Sequence, residues 1–185
     1  MAGKLLNFVI FQVAWGAIVL SAARGWWWAA PACAASALLI AVWMSQRPRA
    51  EVLLAIVVTA AGCSIDAVLV ASGVVAMQHE AFDGLRTAAW FASLWCAYST
   101  LLNASMSWLK GRVVLGILFG AVGGPLAYLA GQRLGAVSLP MGWKSLATLA
   151  GEWAVMAPMC TWCADRFWNR ANPRARAITP GGPGP

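Results

Sequence analysis

Long apolar segments separated by short polar connections dominate this sequence. The hydrocarbon core of a bilayer is about 30 Å thick, and a helix needs about 20 mostly apolar residues to cross it. Of the 185 residues, 61% are hydrophobic and only 10% are charged, which excludes an ordinary soluble domain. The pattern predicts an all-α fold, a polytopic transmembrane bundle of about six helices. The predicted spans are Leu5–Ala22, Trp27–Met44, Val52–Val75, Thr87–Leu109, Val113–Gly131 and Leu146–Ala164.

The composition changes near the C-terminus. Residues 1–168 contain all six apolar segments, and we expect them to form a single transmembrane helical domain. Residues 169–185 are first basic and then rich in proline and glycine. So few apolar side chains cannot bury a core, and we expect a disordered cytoplasmic tail.

The basic residues predict the orientation of the chain. An even number of spans places both termini on one side, and nine of the 13 Lys and Arg residues fall on that side. Because short cytoplasmic loops carry an excess of Lys and Arg, both termini are predicted to be cytoplasmic. Basic residues that set the membrane orientation account for the net charge of +7, so the charge does not indicate nucleic-acid binding. We predict membrane lipids as partners and no nucleic acid.

The first apolar segment has two interpretations. It resembles a secretory signal, with Lys4, an apolar run and small residues at Ser21–Ala23. The run is long for a signal, however, and contains Asn7 and Gln12. We therefore expect it to be kept as the first span; its removal would leave five spans with the same cytoplasmic tail.

Two acidic residues lie inside predicted spans. Asp66 is in the third span and Glu152 in the sixth, and a rise of about 1.5 Å per residue places them about 9 and 10 Å from the outer edge of the hydrocarbon. A carboxylate that faces lipid costs at least about 2.5–3.5 kcal/mol. We therefore expect both to face the interior of the bundle or a water-filled cavity. Arg133, at the outer end of the fifth span, is the nearest candidate cation.

Tryptophan is abundant, with 12 residues. Nine lie near predicted span ends, as in the aromatic belts of membrane proteins: Trp26, Trp27, Trp28, Trp90 and Trp143 at the outer interface, and Trp43, Trp108, Trp162 and Trp168 at the inner one. The other three lie near mid-membrane, and aromatic rings with a few polar groups are typical of a site for an apolar ligand. The predicted ligand pocket therefore comprises Asp66, Glu152, Trp15, Trp95, Trp153 and Arg133. Aromatic packing of a small bundle is the alternative for each ring.

A second polar set lies in the inner half of the predicted bundle. Ser99 and Asn103 are four residues apart, as are Asn103 and Ser107, so all three are predicted to share one face of the fourth helix. Asn7 and Gln12 lie at similar depth in the first span. We interpret this inner polar cluster as hydrogen bonding between helices, with a polar ion or proton path as the alternative.

The fifth span carries a packing signal. Gly116, Gly120 and Gly124 recur every four residues and leave one stripe of the helix without side chains. Another helix can then approach backbone to backbone. Pro125 follows directly and removes a hydrogen bond, so a kink or break is expected there. Broken helices also accompany binding sites in transporters, which is the alternative interpretation.

Signals of catalysis are missing from the sequence. It contains no nucleophile elbow, phosphate-binding loop, zinc-protease helix or dinucleotide fingerprint, so no catalytic residue, cofactor or metal site is predicted. Cys160 and Cys163 have the spacing of a redox dithiol. They fall at the predicted cytoplasmic end, where thiols stay reduced, and we interpret them as structural.

Three stretches carry a resemblance to a known family: "NFVIFQVAW", "WCAYSTLLNASMSWL" and "GGPLAYLAGQRLGAV". Together they resemble small bacterial inner-membrane proteins that share a domain of unknown function. The resemblance implies a compact helical unit, spanning the inner (plasma) membrane several times, and supplies no activity. By that match the residues of interest are Asn7, Gln12, Trp15, Asn103, Pro125, Tyr128, Gly131 and Gly135.

Three functions remain open from the sequence. The best supported is the binding or handling of an apolar small molecule or lipid in an intramembrane pocket. A small proton-coupled transporter that titrates Asp66 and Glu152 is the first alternative, and a homodimer would supply the further spans that transport needs. A membrane-embedded lipid-modifying enzyme ranks third, because the carboxylate pair has no nucleophile or metal beside it. A purely structural role stands beside it.

Overall fold

Six α-helices make up most of the computed structural model, which describes residues 2–170. The predicted all-α fold with six helices is confirmed, while the predicted disordered tail lies outside the described residues from position 171 onward. The helices are α1 Ala2–Ala23, α2 Ala29–Met44, α3 Pro48–Ala71, α4 Gly84–Leu102, α5 Val113–Arg133 and α6 Trp143–Arg170. A 3-10 turn at Ser107–Leu109 and two short strands, β1 Ala76–Met77 and β2 Val137–Ser138, lie in the connections.

Three helices are long and apolar enough to cross a membrane: Gly3–Ala23, Pro48–Ala71 and Val113–Arg133. The helix α2 is also apolar, but it has only 16 residues. The remaining crossings and the cytoplasmic location of the termini stay predictions.

The connections α1–α2, α3–α4 and α5–α6 lie together at one end of the bundle, called here the strand end. There β1 pairs with β2 in antiparallel register, with Ala76 opposite Ser138. The Gln78 side chain donates a hydrogen bond of 2.6 Å to the Val137 carbonyl. The α1–α2 connection reaches the same place, because Gly25 lies directly against the ring of His79.

The opposite end of the bundle is called here the terminal end. It contains the N-terminus, the connections α2–α3 and α4–α5, and the last turn of α6. Lys4 donates a hydrogen bond to the Ser107 hydroxyl over 2.9 Å. The guanidinium of Arg47 lies over the Trp168 ring at 4.6 Å, and Lys110 lies over the same ring at 5.4 Å. Successive helices therefore run in alternating directions.

The glycine stripe of α5 is the contact surface for α6. Gly116, Gly120 and Gly124 are all buried. A Cβ atom at Gly120 would overlap the Trp153 carbonyl oxygen, and one at Gly124 would overlap the Trp153 ring. The two helices therefore pack backbone to backbone, as the spacing of the glycines predicts. The break expected at Pro125 is absent, because α5 continues through it as one helix.

One other expectation about the helices is wrong. The fourth was expected to reach Leu109, but α4 ends at Leu102 and the chain turns at Asn103. Asn and Ser side chains compete for backbone groups, and this stretch is rich in both. Trp90, predicted at the outer interface, is 2% exposed, and its ring nitrogen donates to the Ile18 carbonyl at 2.9 Å. Its depth in a membrane stays a prediction.

Candidate functional site

Asp66 is buried and hydrogen-bonded through both oxygens. Its side chain is 1% exposed. The Trp95 ring nitrogen donates to Oδ2 at 2.5 Å, and the Tyr128 hydroxyl donates to Oδ1 at 2.8 Å. Burial of a polar group without hydrogen bonds would cost several kcal/mol, on the order of 2–7. These two donors offset that cost and tie α3 to α4 and to α5.

Gly62 makes room for the Trp95 ring. It precedes Asp66 by four residues and therefore lies on the same face of α3. A Cβ atom at this position would overlap the Trp95 ring, so only glycine allows the ring to lie against the helix. The sequence offers no signal for this role, since an isolated glycine in an apolar helix is common.

Three aromatic side chains form a cluster next to Asp66. The rings of Trp95 and Trp153 are stacked, with centroids 4.9 Å apart and planes at 10°. Tyr98 meets both edge-on, with centroids 5.7 Å from Trp95 and 5.3 Å from Trp153. The Tyr98 hydroxyl and the Trp153 ring nitrogen are buried and have no hydrogen-bond partner among residues 2–170.

These rings form part of the wall of a cavity of about 420 Å³, called here the aromatic cavity. It lies between α1 and α5, with α4 behind it and Asp66 and Trp153 at its wall. Its lining is almost entirely aromatic, aliphatic or glycine: Phe8, Phe11, Gln12, Trp15, Val19, Asp66, Trp90, Phe91, Leu94, Trp95, Tyr98, Leu101, Met106, Phe119, Gly120, Gly123, Gly124, Leu126, Ala127, Tyr128, Gly131 and Trp153. Phe8 and Phe119 are each 46% exposed and Leu126 58%, so the rim is apolar and faces outward.

The residues predicted for the ligand pocket divide into two groups. Trp15, Asp66, Trp95 and Trp153 line the aromatic cavity, but Glu152 and Arg133 do not. Arg133 is exposed at the end of α5, so it is not the cation expected beside the carboxylates. Whether the cavity holds a ligand stays a prediction.

Glu152 does not line the aromatic cavity, although the next residue, Trp153, does. Both of its carboxylate oxygens are buried and lack a hydrogen-bond partner among the described residues. The charge of Asp66 acts on Glu152, and the charge of Glu152 acts on Tyr128, so the two carboxylates lie within electrostatic reach of each other. Neither carboxylate lies at the outer surface of the bundle.

The inner polar cluster is divided into separate contacts. Asn7 donates to the Thr100 carbonyl at 3.1 Å and accepts from the Ser105 hydroxyl at 2.8 Å, which joins α1 to the end of α4. Ser99 donates only to Cys96 in its own helix. Gln12 lines the aromatic cavity instead. Because α4 ends before Asn103, the shared helical face expected for this set does not form.

Asn103 belongs to a network at the terminal end that the sequence did not reveal. Its side chain donates to Glu51 at 2.9 Å and accepts from Lys110 at 2.6 Å. Glu51, only 7% exposed, also accepts from Ser45 at 3.1 Å. Burial lowers the pKa of Lys110, and the nearby charges of Asp165 and Glu51 oppose this shift. The network joins α3, the end of α4 and the connection to α5.

Four residues singled out by the family resemblance, Gln12, Trp15, Tyr128 and Gly131, line the aromatic cavity. Within residues 2–170, no group of three or more His, Cys, Asp and Glu side chains is placed to hold a metal ion.

Comparisons with known proteins give one match. No curated protein and no solved structure matches the chain significantly. The sequence profile of one family, described as a protein of unknown function, matches residues 4–159 and so covers all of the first five helices after Gly3 and more than half of α6. The chain therefore belongs to the DUF2878 family of proteins of unknown function.

Proposed function

We propose that this protein is a multi-pass protein of the bacterial inner membrane that binds an apolar small molecule or lipid in the aromatic cavity. The observation that carries the proposal is the position of Asp66, a buried carboxylate at the wall of a cavity that is otherwise almost entirely apolar. Cavities of this kind, apolar with a few placed polar groups, are typical of small-molecule sites. The volume of about 420 Å³ is in the range of such sites.

The polar atoms of the wall indicate which end group the ligand carries. The two oxygens of a carboxylate have about four acceptor positions, of which Trp95 and Tyr128 use two. Gln12 also brings an amide to the lining. A hydroxyl or amide end can donate to Asp66, whereas a carboxylate end would be repelled. A long-chain alcohol, free or part of a lipid, fits this pattern.

The rim of the cavity indicates how the ligand enters. Phe8, Phe119 and Leu126 are large apolar residues that stand half exposed at the gap between α1 and α5. An apolar surface of this kind is solvated by lipid rather than by water in a membrane. Entry sideways from the bilayer is therefore consistent with the chemistry of the rim.

The test is mass spectrometry of small molecules extracted from protein purified in a mild detergent. Asp66→Asn keeps the volume but places an NH2 group where one of the two donors, Trp95 or Tyr128, already points, so it should lose the bound species. The matched control is Asp83→Asn, an exposed acid outside the aromatic cavity. One species enriched in wild type and in the control but lost from Asp66→Asn would support the proposal. The same bulk lipid in all three samples would refute it.

A proton-coupled transporter is the second candidate, and Glu152 is the observation that favours it. A buried acid without a hydrogen-bond partner within residues 2–170, close to a second acid, is typical of proton relays in membrane proteins. Proton uptake into reconstituted vesicles under a potassium diffusion potential would test this candidate. Flux lost in both Glu152→Gln and Asp66→Asn would favour transport. Flux no higher than that of protein-free vesicles would exclude a proton leak through this pair.

A further inference from the structure

A second cavity lies on the other side of Asp66. It has a volume of about 450 Å³ and lies between α3 and α4 at the strand end, so we call it the loop-side cavity. Asp66 and Phe91 line both cavities. Asp66 therefore stands at the partition between the aromatic cavity and the loop-side cavity.

The loop-side cavity reaches the surface at the beginning of α4. Asp83 and Gly84 are exposed there, and Thr87 lines the cavity one turn further in. Asp66 lies five residues before the end of α3 at Ala71, which is about 8 Å along the axis. A short path thus leads from the α3–α4 connection to the buried acid.

The lining of this path is mostly apolar, but four of its residues can form hydrogen bonds with water. A cavity holds water when it is roomy and offers two to four polar partners. Asp83 and Thr87 supply such partners at the mouth, and Cys63 and Asp66 supply them at the inner end. A volume of about 450 Å³ has room for several waters, each of which occupies about 30 Å³ in the liquid.

We propose that the loop-side cavity is a water-filled path that connects Asp66 with the aqueous phase at the strand end. Asp66 then meets water on one side and an apolar cavity on the other. The titratable groups that face it are Cys63 on α3, Tyr128 on α5 and Glu152 on α6. The proposal concerns the second cavity alone and does not require a ligand in the first.

The natural Cys63 allows a direct test, because it precedes Asp66 by three residues and lines the path. A variant that keeps only Cys63 would be treated, in oriented membrane vesicles, with a membrane-impermeant charged methanethiosulfonate. The matched control keeps only Cys96, a partly buried thiol of α4 that lines neither cavity. Such reagents attack the thiolate, which forms in contact with water, so Cys63 should react roughly tenfold faster than Cys96, and only from the strand end.

A blocked path provides the second part of the test. Thr87→Trp at the mouth should slow the modification of Cys63, and Ala88→Leu offers a smaller plug if the first variant does not fold. Slowing by either folded variant supports the path. The proposal would be overturned if Cys63 reacts no faster than Cys96, or if it reacts only from the terminal end. It would also be overturned if Cys63 reacts only with a membrane-permeant maleimide, or equally fast in both plugged variants.

Discussion

The Tyr128 hydroxyl donates a 2.8 Å hydrogen bond to the Asp66 carboxylate and so joins α5 directly to α3. The principal packing partner of α5 is α6, through the glycine stripe. The bond to Asp66 therefore fixes one side of the aromatic cavity to its acidic wall. This contact is both a structural link between two parts of the bundle and the support of the candidate site.

Tyr128→Phe should reduce stability, because it removes the hydroxyl and leaves one oxygen of Asp66 with fewer partners. The expected loss is about 1–3 kcal/mol, the cost of an unmade buried hydrogen bond. Unfolding by a denaturing detergent, followed by circular dichroism, would measure it. The matched control is Tyr98→Phe, whose hydroxyl has no partner among the described residues. Equal losses in the two variants would contradict the assigned bond.

Gly62→Ala should displace the Trp95 ring, because the added methyl overlaps it. Overpacking of this kind costs about 1–3 kcal/mol, measurable in the same unfolding experiment. Gly16→Ala is the control, since a Cβ atom there meets nothing within 4 Å. In a Trp95→Leu background the cost of Gly62→Ala should largely disappear. A cost that persists there would show that another contact excludes the methyl.

Gly120→Ala should separate α5 from α6, because the new methyl overlaps the carbonyl oxygen of Trp153 and the backbone cannot move aside locally. We expect destabilisation of about 1–3 kcal/mol. At Gly123 on the same helix, a Cβ atom comes no closer than 4.0 Å to Phe119. Gly123→Ala should therefore be neutral or stabilising by up to about 1 kcal/mol, since alanine favours helices. The reverse order in thermal unfolding would be inconsistent with this packing.

The contact between Glu51 and Asn103 should be energetically coupled. Glu51→Ala and Asn103→Ala each remove one partner of a largely buried pair, so the double variant should lose less than the sum. The expected coupling is about 0.5–3 kcal/mol. Glu80→Ala, an exposed acid at the strand end, should instead be additive with Asn103→Ala. Additivity in both pairs would mean that the Glu51 hydrogen bond contributes nothing measurable.

The helical architecture follows from the sequence because apolar segments of this length have few alternatives to a helix. The ends are less predictable. At Asn103 the helix stops because side chains compete with the backbone, and hydropathy does not register that competition. Whereas α4 is shorter than predicted, α6 is longer: it extends to Arg170, well past the predicted end at Ala164. Its last turn lies beneath Arg47, a contact between residues far apart in the chain.

The candidate site is predictable only in part. The cost of a carboxylate in lipid identifies Asp66 as an inward-facing residue, and depth along the helices brings Trp15, Trp95 and Trp153 to a similar level. Depth does not give the rotation of a helix about its axis. For that reason the sequence could not show that Glu152 lies outside the lining of the aromatic cavity. Glu51 was overlooked because an acid near a polar connection resembles an ordinary solvated charge.

The most direct test of the central claim is native mass spectrometry of the intact protein released from a mild detergent. Gly123→Leu places a side chain inside the aromatic cavity, whereas Gly151→Leu makes the same change on an exposed position of α6. We predict one adduct of defined mass on wild type and on Gly151→Leu, and none on Gly123→Leu. An adduct that persists unchanged on Gly123→Leu, or none on any of the three proteins, would contradict a ligand site in this cavity.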